Sequence, residues 1–203
     1  MGIFNVFGKK VNVNTLALIE NGEREFTVGN YLNALNSYEK ALIEDKSNWY
    51  IYFRIGKCYQ FLNNFSKSID IYQIGKNYDD NFDINRGLGE SYLMQSEFNQ
   101  GILYLEKAMK LLHKLDEITN SNSKRDKANI LNNLSICYYN IGDVEKAKDC
   151  CLNGIKTDEK YAGNYGILGS LFLEENLINE AINFFEIGAR LGDQRSKEIL
   201  NNI

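Results

Sequence analysis

The chain of 203 residues has no proline and one histidine. Without proline, any helix in it must end at asparagine, aspartate or glycine. His113 has no second histidine with which to form a metal site or paired catalytic bases. No apolar run is long enough to span a membrane. These absences exclude a membrane-spanning segment and predict that the protein holds no metal, uses no cofactor and is not an enzyme.

Cysteine is scarce and wrongly spaced for metal binding. The four thiols form no C-x-x-C pair, and adjacent side chains such as Cys150 and Cys151 diverge on a helix, which makes them a poor disulfide pair. We therefore expect reduced thiols in a cytoplasmic protein. Cys58, Cys137 and Cys151 occupy expected core positions, whereas Cys150 is expected to be partly exposed.

The chain also lacks a strong excess of charge of one sign. The net charge is −4 with acids and bases interleaved, so no basic block predicts a nucleic-acid partner. The opening MGIFNVFGKK has no basic stretch before its short apolar run, which disfavours a signal peptide or anchor. We expect residues 1–12 to form a flexible tail.

What the chain does contain is an internal repeat. Small residues begin five registers that lie 34, 33, 46 and 34 residues apart. They are Gly22, Gly56, Gly89, Ser135 and Gly169. Twelve residues after each comes a second small residue: Ala34, Ser68, Gly101, Ala147 and Ala181. A fixed period of this size is typical of stacked supersecondary units.

Two further columns keep the same register. Sixteen residues after each first member lies a bulky or apolar residue: Tyr38, Tyr72, Leu105, Cys151 and Phe185. Nineteen residues after it comes another small one: Ala41, Gly75, Ala108, Gly154 and Gly188. Each unit has two helical apolar patches around a short polar break, which predicts a hairpin of helix A and helix B. Small residues let the paired helices approach to about 8 Å.

The segments IGKCY, LGESY and LGSLF complete a pattern that resembles the tetratricopeptide repeat. This resemblance implies an all-α, right-handed α-solenoid of about five hairpins with a C-terminal capping helix, in one domain over residues 13–203. The predicted repeats are 15–48, 49–81, 82–127, 128–161 and 162–193, and the predicted cap is 194–203.

The third spacing is longer than the others. Its apolar positions continue to about Ile118, so helix B of repeat three should extend that far, and Ser123 should cap a helix that begins near Lys124. The insertion at about 113–127 is either a tolerated surface loop or a corner that a partner contacts.

The resemblance also implies where a partner binds. In this family the A helices line a concave groove that holds an extended peptide or a helix. The matching positions give the candidate groove residues Tyr50, Phe53, Arg54, Lys57, Arg86, Glu90, Asn129, Asn132, Asn133 and Tyr139. Repeat five adds little beyond Ser170 and Glu174. Asparagine amides can both donate to and accept from a peptide backbone.

Two function hypotheses remain open. The first is a non-enzymatic protein-interaction scaffold; the alternative is an intracellular receptor for a small signalling peptide or metabolite. The carboxylate clamp of some co-chaperones is disfavoured, because Glu23 and Asp83 would repel a carboxylate at those places. Association of two copies through MGIFNVF is a further possibility.

Overall fold

The computed structural model describes residues 13–119 and 122–202, which form eleven α-helices and no strand. The predicted tail at residues 1–12 lies outside this part. The helices are α1 Val13–Thr27, α2 Tyr31–Glu44, α3 Trp49–Phe61, α4 Phe65–Lys76, α5 Phe82–Met94, α6 Phe98–Thr119, α7 Lys124–Asn140, α8 Val144–Thr157, α9 Ala162–Glu174, α10 Ile178–Arg190 and α11 Gln194–Leu200. The predicted all-α class is confirmed. No described helix is both long and apolar enough to cross a membrane.

The chain divides into two compact units within α5. Unit 1 ends at Ser91 and unit 2 begins at Tyr92. In unit 1, α1 packs on α2, α2 on α3 and α3 on α4. In unit 2, each helix from α6 to α11 packs on the next one in the chain, and α7 also contacts α9. Contacts between sequence neighbours are what a helical repeat requires. The single domain over residues 13–203 stays a prediction.

The polar breaks are the turns between helix A and helix B. In each turn one residue has a positive φ, a conformation that glycine and asparagine tolerate best. These residues are Gly29, Asn63, Ser96, Gly142 and Asn176. Because proline is absent, left-handed residues end the A helices, while Asp45, Asn77 and Asp158 follow the ends of three B helices.

The small residue that begins each register can make room for an aromatic ring. A Cβ at Gly56 would lie 2.3 Å from the Tyr72 ring, and one at Gly22 would lie 2.5 Å from the Tyr38 ring. Both rings are fully buried. The sixteen-residue spacing therefore pairs a glycine of helix A with the aromatic side chain that packs over it.

The small residue nineteen positions after each first member lies on helix B and faces its own helix A or the helix that follows. A Cβ at Gly75 would lie 2.8 Å from the Cβ of Tyr52, and one at Gly154 would lie 2.3 Å from the amide of Asn164. A Cβ at Gly188 would meet the Ser196 hydroxyl at 2.8 Å. Small residues here let helix B pack closely on its neighbours.

The insertion extends α6 to Thr119, as predicted. Its last turns carry a buried carboxylate, Asp116, which is 8% exposed. Lys127 of α7 lies 2.6 Å from Asp116 Oδ2, and the Ser123 hydroxyl donates to Asp116 Oδ1 at 2.8 Å. α7 begins at Lys124 as expected, but Ser123 makes no side-chain cap to that helix. The hydroxyl bonds to Asp116 instead of capping α7.

The predicted closing helix is α11. Asp193 caps it by accepting from the backbone N–H of Ser196 at 2.9 Å. Ile199 and Leu200 are half-buried, whereas Lys197 and Glu198 are exposed. The closing helix therefore has one apolar and one polar face. Ile203, the last residue of the predicted cap, lies outside the described residues.

Candidate functional site

In unit 1, three predicted groove residues of α3 pair with side chains of α1 and α5. The guanidinium of Arg54 on α3 lies 2.6 Å from the carboxylate of Glu23 on α1. The Tyr50 hydroxyl donates to the same carboxylate at 3.0 Å. Lys57 on α3 reaches Glu90 on α5 at 3.2 Å. We call Glu23, Tyr50, Arg54, Lys57 and Glu90 the unit 1 row.

Arg54 is held on several sides. Its guanidinium lies over the Phe26 ring at 4.2 Å, and its Nε donates to the Tyr38 hydroxyl at 3.1 Å. Burial opposes its charge, but the Tyr38 hydrogen bond and the Glu23 carboxylate outweigh this effect and raise the pKa of Arg54. Burial also opposes the charged form of a tyrosine, and it therefore raises the pKa of Tyr38 and of Tyr50. A ligand anion would have to compete with Glu23 for this cation.

The remaining predicted cation of unit 1 is also paired. Arg86 lies 3.2 Å from Asp83 on the same helix, and its guanidinium lies over the Phe82 ring at 4.9 Å. Its side chain is 20% exposed. Like Arg54 and Lys57, Arg86 has its charge balanced by a carboxylate of the protein.

Phe53 does not lie on this surface. It is 8% exposed, and its ring centroid lies 6.3 Å from that of Tyr72 in the core. We correct its assignment as a groove residue, because it packs inside the hairpin. Tyr50 is half-buried and keeps some surface. Tyr52 is also buried.

In unit 2 the predicted asparagines lie where α7 meets α9. The Asn129 amide donates to the Tyr161 hydroxyl at 2.8 Å. Asn132 is 9% exposed and faces Gly163, where a Cβ would lie 3.1 Å from its amide nitrogen. We correct its assignment as an open ligand contact, because its amide is enclosed between the helices. Asn133 is half-buried and retains surface.

Tyr139 borders a pocket that the repeat pattern did not reveal. Its hydroxyl donates to the Glu174 carboxylate of α9. The cavity beside it has a volume of about 220 Å³ and is formed by α7, α9 and α11. We call it the unit 2 pocket; its lining residues are Ile136, Tyr139, Asn140, Ile167, Ser170, Leu171, Glu174 and Arg195.

Sequence reasoning named Tyr139, Ser170 and Glu174 but missed the rest of this lining. One signal was present for Ile136, because it follows Asn132 and Asn133 on the same helical stripe. Arg195 gave no such signal, since it belongs to the closing helix and has no counterpart in a complete repeat.

The described residues hold no group of three histidine, cysteine or acidic side chains placed to bind a metal ion. The two surfaces therefore offer ion pairs, amides, aromatic rings and one apolar pocket. These groups suit recognition of another polypeptide.

A comparison with known protein families identifies the repeat that the sequence pattern resembles. Residues 50–80 and 128–161 match the tetratricopeptide repeat family model. A search of curated proteins gave no match.

Solved structures match the fold over most of the chain. MamA superposes with a TM-score of 0.69 at 20% identity, covering 91% of this chain and 94% of MamA. YrrB, a TPR protein with an unusual peptide-binding site, gives 0.66 at 17% identity, covering 93% and 92%. PilF of Pseudomonas aeruginosa gives 0.75 at 17% identity, covering 90% and 79%. At these identities the likeness concerns the fold. Two segments of the chain therefore match the tetratricopeptide repeat, and its fold is that of solved proteins such as YrrB.

Proposed function

We propose that the chain is a non-enzymatic interaction module that binds a peptide or helix of a partner protein along its A helices. The observation that carries this proposal is the unit 1 row, in which side chains of α1 and α5 pair with a partly exposed polar strip on α3. Such a strip offers hydrogen bonds at successive helices to a chain lying across them.

Two further observations support the proposal. The strip contains Tyr50 and Arg54, and tyrosine and arginine are frequent among residues that dominate binding energy. The fold is also that of YrrB, for which a peptide-binding site is described. The four cysteines are free thiols, which supports the proposed cytoplasmic location.

Affinity capture with matched variants tests the proposal. The first bait carries Tyr50→Ala, Asn133→Ala and Tyr139→Ala on the A helices. The control bait carries Lys40→Ala, Leu103→Ala and Leu152→Ala, which are exposed residues of α2, α6 and α8. We expect mass spectrometry to find partners that the wild type and the control retain and that the first bait loses. Phe53→Ala is unsuitable, because it would open a core cavity.

Direct binding needs a second measurement. Each recovered partner is cross-linked to the wild-type chain, and the linked positions are mapped. Cross-links next to the A helices support the proposal. Equal recovery by both variant baits, or cross-links confined to the B helices, would disprove binding along the A helices.

A further inference from the structure

The unit 2 pocket differs from the unit 1 row in its charge balance. In unit 1, Arg54, Lys57 and Arg86 each have a carboxylate within 3.2 Å. At the unit 2 pocket, no described residue forms an ion pair or hydrogen bond with Arg195. Arg195 is therefore a cation at the pocket rim that has no direct partner among the described residues.

The pocket rim also carries a carboxylate, which already accepts a hydrogen bond. Glu174 accepts the hydrogen bond of the Tyr139 hydroxyl. That hydrogen bond, followed by loss of hydration, raises the pKa of Tyr139, whereas the positive charge of Arg195 lowers it. Arg195 therefore acts electrostatically on the pocket mouth without being paired to Glu174. Glu174 keeps its negative charge in this hydrogen bond but does not pair directly with Arg195, so an incoming carboxylate can take that contact.

The floor of the pocket is apolar. Ile136 of α7 and Ile167 and Leu171 of α9 line it beneath the polar rim. Its volume of about 220 Å³ lies below the roughly 300–1,000 Å³ of ordinary small-molecule sites. A cavity of this size suits one branched or aromatic side chain of a polypeptide rather than a whole metabolite.

We infer that the unit 2 pocket is a specificity subsite for an apolar side chain that lies next to an aspartate or glutamate of the partner. The apolar group enters between Ile136 and Ile167, and the acidic side chain pairs with Arg195. This inference rests on the proposed function, since it assumes that a polypeptide lies along α7 and α9. It adds the class of sequence that the partner carries.

A displayed library of random peptides tests the inference with the full chain as bait. Each random segment is followed by a linker, so that carboxylates come from side chains and not from a chain end. We expect enriched peptides to place a leucine, isoleucine or phenylalanine within a few positions of an acidic residue. Enrichment without an acidic preference would overturn the inference.

A cycle of substitutions then tests Arg195 directly. One enriched peptide is synthesised with glutamate and with glutamine at the selected position. We expect the wild type to prefer the glutamate peptide by about tenfold, as a charge-assisted contact would give. Arg195→Ala should lose this preference, whereas Lys197→Ala, an exposed cation of the same helix, should keep it. Circular dichroism checks that both variants fold.

The outcomes separate the inference from the function on which it rests. If peptides bind and Arg195→Ala keeps the preference for glutamate, the subsite is wrong and the proposed function stands. If the glutamine form of an enriched peptide binds as tightly as the glutamate form, the inferred acidic side chain is wrong. If no peptide is enriched on any surface of the chain, both the subsite and peptide binding fail.

Discussion

At the residue scale, the size of one side chain sets the size of its partner. Gly56 lies under the Tyr72 ring, and a Cβ at Gly169 would lie 2.8 Å from the Phe185 ring. In repeat four the residue sixteen positions on is the small Cys151, and here Ser135 replaces glycine. Both Ser135 and Cys151 are fully buried. The serine fits because no ring occupies the space that its Cβ needs.

This complementarity predicts that alanine is tolerated better at position 135 than at the equivalent position 56. Gly56→Ala should lower the free energy of unfolding by about 1–2 kcal/mol, because the clash with Tyr72 exceeds the gain in helix propensity. The ring has little freedom, since its hydroxyl bonds to Gln60 at 3.2 Å. Ser135→Ala should cost under about 1 kcal/mol, the worth of its bond to the Asn132 carbonyl. Urea unfolding of the two variants measures both values, and equal losses would refute the size pairing.

Buried thiols make stability depend on alkaline pH. Burial raises the pKa of Cys58 to about 12 and that of Cys137 to about 12, from 9.0 for an ordinary thiol. Above pH 9 the unfolded chain loses these protons while the native chain keeps them, so stability falls as pH rises towards 12. We expect a lower urea midpoint at pH 10.5 than at pH 7.5. The variant Cys58→Ala/Cys137→Ala should lose less over the same interval; an equal loss would show that these thiols do not contribute.

At the element scale, the corner between α6 and α7 is fixed by one carboxylate. Asp116 accepts from the backbone N–H of Ser123 at 3.2 Å and from its hydroxyl, and it pairs with Lys127. The contacts of its described residues tie the insertion to the fold, and a tolerated surface loop remains as much a prediction as a corner that a partner contacts.

Removing this carboxylate should loosen the corner. Asp116→Ala should cost about 2 kcal/mol, because Lys127 would keep a largely buried charge and Ser123 would lose its acceptor. Lys146→Ala is the matched control, since its pair with Asp143 is an exposed one between residues three apart and its loss should leave stability nearly unchanged. Thermal unfolding compares the two. A loss at Asp116 no larger than that at Lys146 would contradict the role given to the buried pair.

At the scale of the whole molecule, the sequence predicts the hairpins far better than the site. Repeated registers reveal Gly22 and Gly56 because each hairpin needs the same close approach. The pairing of Glu23 with Arg54 joins residues in different repeats, and no register in the sequence marks it. The same holds for Asn132, whose helical position was predicted but whose burial depends on the packing of α9. Arg195 follows the last complete repeat, where the pattern carries no information.

The division into two compact units predicts local rather than global loss of protection. In a repeat protein each hairpin is stabilised mainly by its neighbours, so a defect should spread over the nearest helices first. Hydrogen exchange followed by mass spectrometry should show faster exchange in α3 and α4 for Gly56→Ala. For Asp116→Ala the faster exchange should lie in α6 and α7, with α1 to α4 unchanged. If either substitution speeds exchange equally from α1 to α10, the chain opens as one cooperative unit, as the sequence-based single domain would require.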